Sequence, residues 1–176
     1  MRERTLQLDA RLSTRLRVAE RPGLLRTLAA ILAHSGDSWF WLAGLVLVWL
    51  WGVEDWKVRA VVLAAGVIAT AAVVMVIKFT VRRSRPAGEW GGIYRQTDPH
   101  SFPSGHAARA AMLAVIAIGL GPPWFAVLLV VWAPLVGLAR IAMGLHYLSD
   151  VLAGMALGVV MGLAVLYWYD WKFIVL

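Results

Sequence analysis

Four stretches of this chain carry no charged residue at all: 38–53, 60–77, 110–139 and 151–169. A helix that crosses a bilayer needs ~20 predominantly apolar residues, with ~17 as a practical lower limit. The third stretch is too long for one crossing, and Gly121-Pro122-Pro123 divides it into two helices. The pattern predicts an all-α, integral-membrane helical bundle. Its five transmembrane helices fall at about 38–53, 58–79, 104–121, 123–140 and 147–169. The first is short, so its ends rest in the headgroup zone. Trp39, Trp41, Trp49, Trp51 and Trp56 bracket that span, and Tyr167, Trp168, Tyr169 and Trp171 end the last one, as interfacial aromatics do. A soluble bundle is the rival reading. With 61% of residues hydrophobic and only 15% charged, composition argues against it.

The residues before the first span read differently. Leu8, Leu12, Leu16 and Ala19 recur at helical spacing, while Arg4, Arg11 and Arg15 fall on another face. That predicts an N-terminal amphipathic helix over 5–20, lying on the membrane surface. Residues 24–35 are apolar but short and contain Arg26. They read as a half-buried entry helix ending near Ser35-Gly36, with a sixth span as the alternative. The chain thus divides into 1–36, the amphipathic and membrane-entry segment, and 37–176, the transmembrane core. No apolar core follows the basic start closely enough to make a signal peptide. In the last span Gly154, Gly158 and Gly162 form one flat stripe where another helix can approach.

The formal net charge is +7, and the cations sit at the ends of apolar runs. That placement favours anionic headgroups or phosphorylated lipids as partners, and disfavours nucleic acid. With no cysteine, disulfides, a thiolate nucleophile and thiolate metal sites are excluded.

Titratable side chains are costly in so apolar a chain, so clusters of them at span ends mark a site. Lys78 and Arg85 are seven residues apart and can project to one side of a helix that continues that far; Arg140 ends another span. An Arg fork and a Lys point charge suit phosphate oxygens. Ser104 in Pro103-Ser104-Gly105-His106 is a good N-cap. The amides after it can hold an anion, Gly105 lets backbone approach a ligand, and His106 can donate a proton. Plain capping explains this tetrapeptide equally well. His146 and Asp150 share a helix face; a carboxylate on one ring nitrogen leaves the other as nucleophile or base. Metal ligation is the rival there, but the surrounding cations repel a metal and welcome phosphate. His34 and Asp37 border the first span, either at the entrance of a site or in solvent. His100 and Asp98 read as solvated loop groups, and Arg82, Arg83, Arg95 and Arg109 as cations snorkelling to water or headgroups.

Taken together, Lys78…Arg85-Pro86, Pro103-Ser104-Gly105-His106 and Arg140…His146…Asp150 resemble the type 2 phosphatidic acid phosphatase family of membrane phosphatases. All three spacings match, and the ordered triple is far more specific than Pro-Ser-Gly-His alone. One departure is Ala139, where the family often has serine, which removes a possible hydroxyl contact but no charged group. The resemblance covers 78–150. It implies a phosphohydrolase without metal or other cofactor, working through a phosphohistidine. It further implies His146 as nucleophile, Asp150 as its orienting partner and His106 as acid and then base. Lys78, Arg85, Arg140, Ser104 and the Gly105 backbone would hold the phosphoryl oxygens.

The expected substrate is a lipid phosphate, its tail left in the bilayer: a polyprenyl phosphate or diphosphate first, a glycerolipid phosphate second. Two alternatives stay open, a lipid phosphotransferase using the same side chains and a non-enzymatic protein that binds anionic lipid. The expected location is a bacterial inner membrane. With five spans, the N-terminal region and the three clusters share one face. The seven arginines before residue 27 tip that face toward the cytoplasm.

Overall fold

The computed structural model describes residues 2–88, 90 and 92–175. These residues form eight helices: α1 Arg2–Arg15, α2 Leu24–Ser35, α3 Ser38–Trp51, α4 Glu54–Val81, α5 Gly92–Thr97, α6 Gly105–Leu120, α7 Pro123–Ala142 and α8 Leu148–Val175. Among the described residues there is no strand beyond one isolated bridge, Ser84 with His100. The all-α bundle predicted from the uncharged runs is what the chain builds.

Helix ends follow the local sequence. Glu54 and Asp55 open α4, where acidic groups suit the positive end of the helix dipole. Pro123 opens α7, a position where the missing N–H costs nothing. Ser104 caps α6 and accepts from the Ala107 amide at 3.4 Å.

By length and hydropathy α4, α7 and the Leu148–Asp170 part of α8 qualify as spans. Helices α2 and α3 meet at a 59° bend and qualify together as one broken span. The segment 24–35 thus joins α3 in a bent pair, which is either a broken crossing or a re-entrant loop. The bend falls at Gly36-Asp37 and turns those two residues toward the bundle.

Helix α6, expected as an ordinary span over 104–121, is shorter at 16 residues and sits inside the bundle. Every residue from Ala107 to Ala114 is buried, as are Ile116 and Ala117. Small side chains make this possible. The glycine stripe of α8 lies directly on it, and this is the most extensive helix pairing in the molecule. A Cβ added at Gly154 would lie 2.5 Å from the Ser104 carbonyl oxygen, and one at Gly158 would lie 2.1 Å from that of Ala108. Only glycine lets the two backbones come this close.

Leucines, valines and tryptophans cover the outside of the bundle: Trp39, Val61, Ile68, Val127, Leu152 and Val160 are all more than half exposed. Such a surface is stable against hydrocarbon and unstable against water.

One end of the bundle closes with the 52–53 and 121–122 turns, where Arg59 Nε donates to the Leu120 carbonyl at 2.7 Å. The other end carries the longer connections 82–104 and 143–147. All three charged clusters gather there.

Candidate active site

His146 sits in the turn between α7 and α8. Gly144, with φ +65°, makes that turn, which the Gly144 and Leu145 amides close by donating to the Ile141 and Arg140 carbonyls. The imidazole is 1% exposed. Its Nδ1 lies 2.7 Å from the carbonyl oxygen of Ser101. A carbonyl only accepts, so Nδ1 carries the hydrogen and Nε2 keeps its lone pair. Arg85 Nη1 lies 3.1 Å from that Nε2. Burial, with the charges of Arg140, Arg85 and Lys78, outweighs the opposing effect of Asp150 and pushes the His146 pKa down to about 3. At neutral pH this ring is an uncharged base held in one tautomer.

Asp150, predicted as the orienting partner, stands 3.8 Å from Nδ1, beyond hydrogen-bonding reach. Its carboxylate instead accepts from the Tyr147 amide at 2.8 Å and from Arg83 Nη1 at 2.7 Å. It holds the turn that presents His146, while the direct contact to Nδ1 comes from Ser101.

His106 lies in the first turn of α6. Its Nε2 meets Asp37 Oδ1 at 2.6 Å, and Asp37 Oδ2 meets His34 Nδ1 at 3.2 Å. The sequence placed Asp37 either at an entrance or in solvent. It is the partner of His106, delivered there by the α2–α3 bend. Lys78, Gly105, His106 and His146 line a single cavity of about 180 Å³, together with Ser38, Asp98 and Arg109.

The cations are held in place by groups the sequence did not assign to a site. Lys78 Nζ pairs with the Asp98 carboxylate and donates to the His100 carbonyl at 3.0 Å. Arg85 donates to the same carboxylate at 2.8 Å and to the Asp98 and Leu145 carbonyls at 2.7 and 2.8 Å. Asp98 is thus not a solvated loop residue: it bridges the two cations. Arg140, 1% exposed, is within 3.4 Å of the Ala33 carbonyl. Ser104 is fully buried, and its amide donates to the Asp150 carbonyl at 2.9 Å, which ties the start of α6 to the start of α8.

Two expected snorkelling cations are also redirected. Arg109 is 6% exposed, donates to the Gly36 carbonyl at 2.9 Å and faces the cavity. Arg83 pairs with Asp9 at 2.8 Å and with Asp150 at 2.7 Å, and lies over the Tyr147 ring. A buried guanidinium surrounded by carbonyls and carboxylates is stable where a solitary one is not. Among the described residues no three His, Asp or Glu side chains are arranged to hold a metal ion.

Chemically, the cavity offers a neutral nucleophilic nitrogen, a second imidazole backed by a carboxylate, and a positively charged wall. Such a combination is chemically suited to transfer of an anionic group to a ring nitrogen.

The chain is similar to known proteins in sequence and in fold. The family model for the PAP2 superfamily matches residues 59–174. The decaprenylphosphoryl-5-phosphoribose phosphatase of Mycobacterium tuberculosis is 36% identical over 149 residues, covering 82% of this chain and 80% of its own length. An undecaprenyl-diphosphatase of Sulfolobus acidocaldarius is 28% identical over 140 residues, 76% of this chain and 66% of that protein. Among solved structures, a transmembrane PAP2-type phosphatidylglycerolphosphate phosphatase from Bacillus subtilis superposes with a TM-score of 0.76 at 24% identity, over 96% of this chain and 87% of that one. Motif, fold and relatives agree: the chain belongs to the PAP2 superfamily and is a membrane lipid phosphatase.

Proposed function

We propose that this protein hydrolyses a polyprenyl phosphate or diphosphate through a phosphohistidine intermediate. The observation that carries the reading is the shared cavity, where His146 and His106 meet beside Lys78 and Arg109. Nε2 of His146 attacks phosphorus, and the bond from phosphorus to the leaving oxygen breaks. That oxygen takes a proton from the His106 ring. The phosphoimidazolium keeps its Nδ1 hydrogen on the Ser101 carbonyl, so no proton need leave that side. Water then attacks the phosphoryl group, His106 takes the proton from the water, and phosphate departs with Nε2 restored. Lys78, Arg85 and Arg140, with Ser104 and the Gly105 backbone, form the positive surroundings of the phosphoryl oxygens.

The polyprenyl preference draws support from two relatives whose names carry polyprenyl substrates. It also draws support from an apolar groove of about 490 Å³ at the α2–α3 bend, lined by Ile31, Trp39 and Phe40 and reaching Asp37. A chain lying there has its head beside His106. A glycerolipid phosphate ranks second. The proposed setting is a bacterial inner membrane with the catalytic end toward the cytoplasm.

Phosphate release from detergent-solubilised polyprenyl and glycerolipid phosphates, with chelator present, tests this reading. Turnover should persist in chelator, favour the polyprenyl series and vanish in His146→Ala. Activity abolished by chelator, or retained by His146→Ala, would sink it.

A further inference from the structure

Helix α1 presents its polar side to the protein. Ser13 Oγ accepts from the Leu148 amide at 2.9 Å, and Asp9 Oδ1 accepts from the Ser149 amide at 3.1 Å. The Ser149 hydroxyl also donates to Asp9 Oδ2. Leu148 and Ser149 are in the first turn of α8, where amides have no partner within their own helix. Asp150 takes the amide of Tyr147, and α1 takes the next two from 135 and 140 residues away. Asp9 reaches further as well. It pairs with Arg83 at 2.8 Å, and Arg83 holds Asp150 at 2.7 Å from its other terminal nitrogen. The N-terminal helix therefore caps the helix that begins two residues after His146, and anchors the arginine that fixes Asp150.

Leucine and arginine side chains on the other faces of α1 point outward. Leu8, Leu12 and Leu16 form an exposed ridge, 57%, 38% and 45% accessible. Arg4, Arg11 and Arg15 are exposed on the neighbouring face. The helix lies at the end of a membrane-spanning bundle, level with the starts of α6 and α8. A leucine ridge bordered by cations at that level fits a bilayer surface carrying anionic headgroups.

We propose that α1 is a lipid-responsive strap: its leucine and arginine faces engage an anionic bilayer surface, and that engagement seats Asp9 and Ser13 on α8 so that Arg83, Asp150 and His146 are held for turnover. Asp9 acts through Arg83 and is a positioning residue. The effect on turnover rests on the phosphatase reading; the lipid contact does not.

The absence of cysteine makes a single Leu12→Cys label unique. The labelled full-length protein is placed in nanodiscs of phosphatidylcholine alone, and in nanodiscs a third of whose lipid is phosphatidylglycerol. Quenching by spin-labelled lipid reads contact, and phosphate release reads turnover. Contact and turnover should rise together in the anionic discs, turnover by roughly five- to tenfold. The triple variant Arg4→Gln/Arg11→Gln/Arg15→Gln should lose the rise and keep the rate seen in phosphatidylcholine. Asp9→Asn should lower kcat about tenfold with little change in KM, since it removes a charge from Arg83 and leaves the phosphate-binding groups alone.

A label unquenched in both discs overturns the proposal, as does turnover indifferent to anionic lipid. A disulfide-linked dimer of Leu12→Cys would assign the ridge to a second copy and overturn it too. If no disc supports phosphate release, the phosphatase reading fails, and quenching that rises with phosphatidylglycerol still upholds the lipid contact.

Discussion

Asp98 gives the proposed phosphate site a test of substrate affinity. It pairs with Lys78 and Arg85, the two cations proposed to hold the substrate phosphate. Carboxylate and phosphate compete for the same donors. Asp98→Asn should therefore lower KM for a phosphate ester by about three- to tenfold, the order of one charge-assisted hydrogen bond. Thermal stability should fall as well, because two buried cations lose their counter-charge. A raised KM would show that Asp98 assists binding. Asp37 makes a second case. Its carboxylate holds His106 Nε2 at 2.6 Å and so fixes the ring, and Asp37→Asn should weaken proton donation by letting the ring turn. Its kcat on an alkyl phosphate should drop about a hundredfold, and far less on p-nitrophenyl phosphate, whose leaving group needs no proton. Equal losses on both substrates would exclude this role. Neither residue could be assigned from the chain alone. Lys78, Arg85, His106, Arg140, His146 and Asp150 stand in fixed local spacings that can be read in order. Asp37, Asp98 and Ser101 become partners only when a bend, a loop and a turn converge, and no spacing records that.

At the level of helices, the packing of α8 on α6 decides whether the site exists. A methyl group at Gly158 would press on the Ala108 carbonyl oxygen, a backbone atom with no rotamer to yield. Gly158→Ala should cost about 1–3 kcal/mol. Because α6 carries His106 and α8 starts just after His146, turnover should fall with it. Thermal unfolding in detergent checks the first effect and phosphate release the second; unchanged values for both would mean that the helices can part freely. The glycine register was visible in the sequence because small residues four apart must share a face. The position of α6 was less so. Its uncharged run looks like any other span, and only its run of alanines hints that other helices surround it. The docked side of α1 was hidden as well. Hydrophobic periodicity reveals where leucines go, and here the leucines point away from the protein while Asp9 and Ser13 make the contact.

For the whole molecule, protonation sets an acid limit. His146 is held neutral with a pKa near 3, against about 6.5 when unfolded. The unfolded chain therefore binds a proton that the folded one refuses, and stability declines as pH falls from about 6.5 toward 3. Asp9 acts in the same direction. Burial raises its pKa, but hydrogen bonds from Ser149 and Arg83 prevail and leave it lowered. Its contribution is present above the unfolded carboxylate value and is lost as pH falls through the folded one. The melting temperature in detergent should thus be lower at pH 4.5 than at pH 7, and the ring nitrogens of His146 should keep the shifts of a neutral Nδ1–H tautomer between about pH 5 and 8. A melting temperature that rises on acidification would contradict both assignments. Bilayer residence needed no such detail, since it follows from run length and from the apolar exterior.

The Ser104 amide bonded to the Asp150 carbonyl stitches together the segments that carry the two imidazoles. Lipid tails of varied length and unsaturation jostle the outer helices continually. The spacing of the two rings should therefore hold against that jostling, and phosphate release should vary little between bilayers of saturated and unsaturated fatty acids.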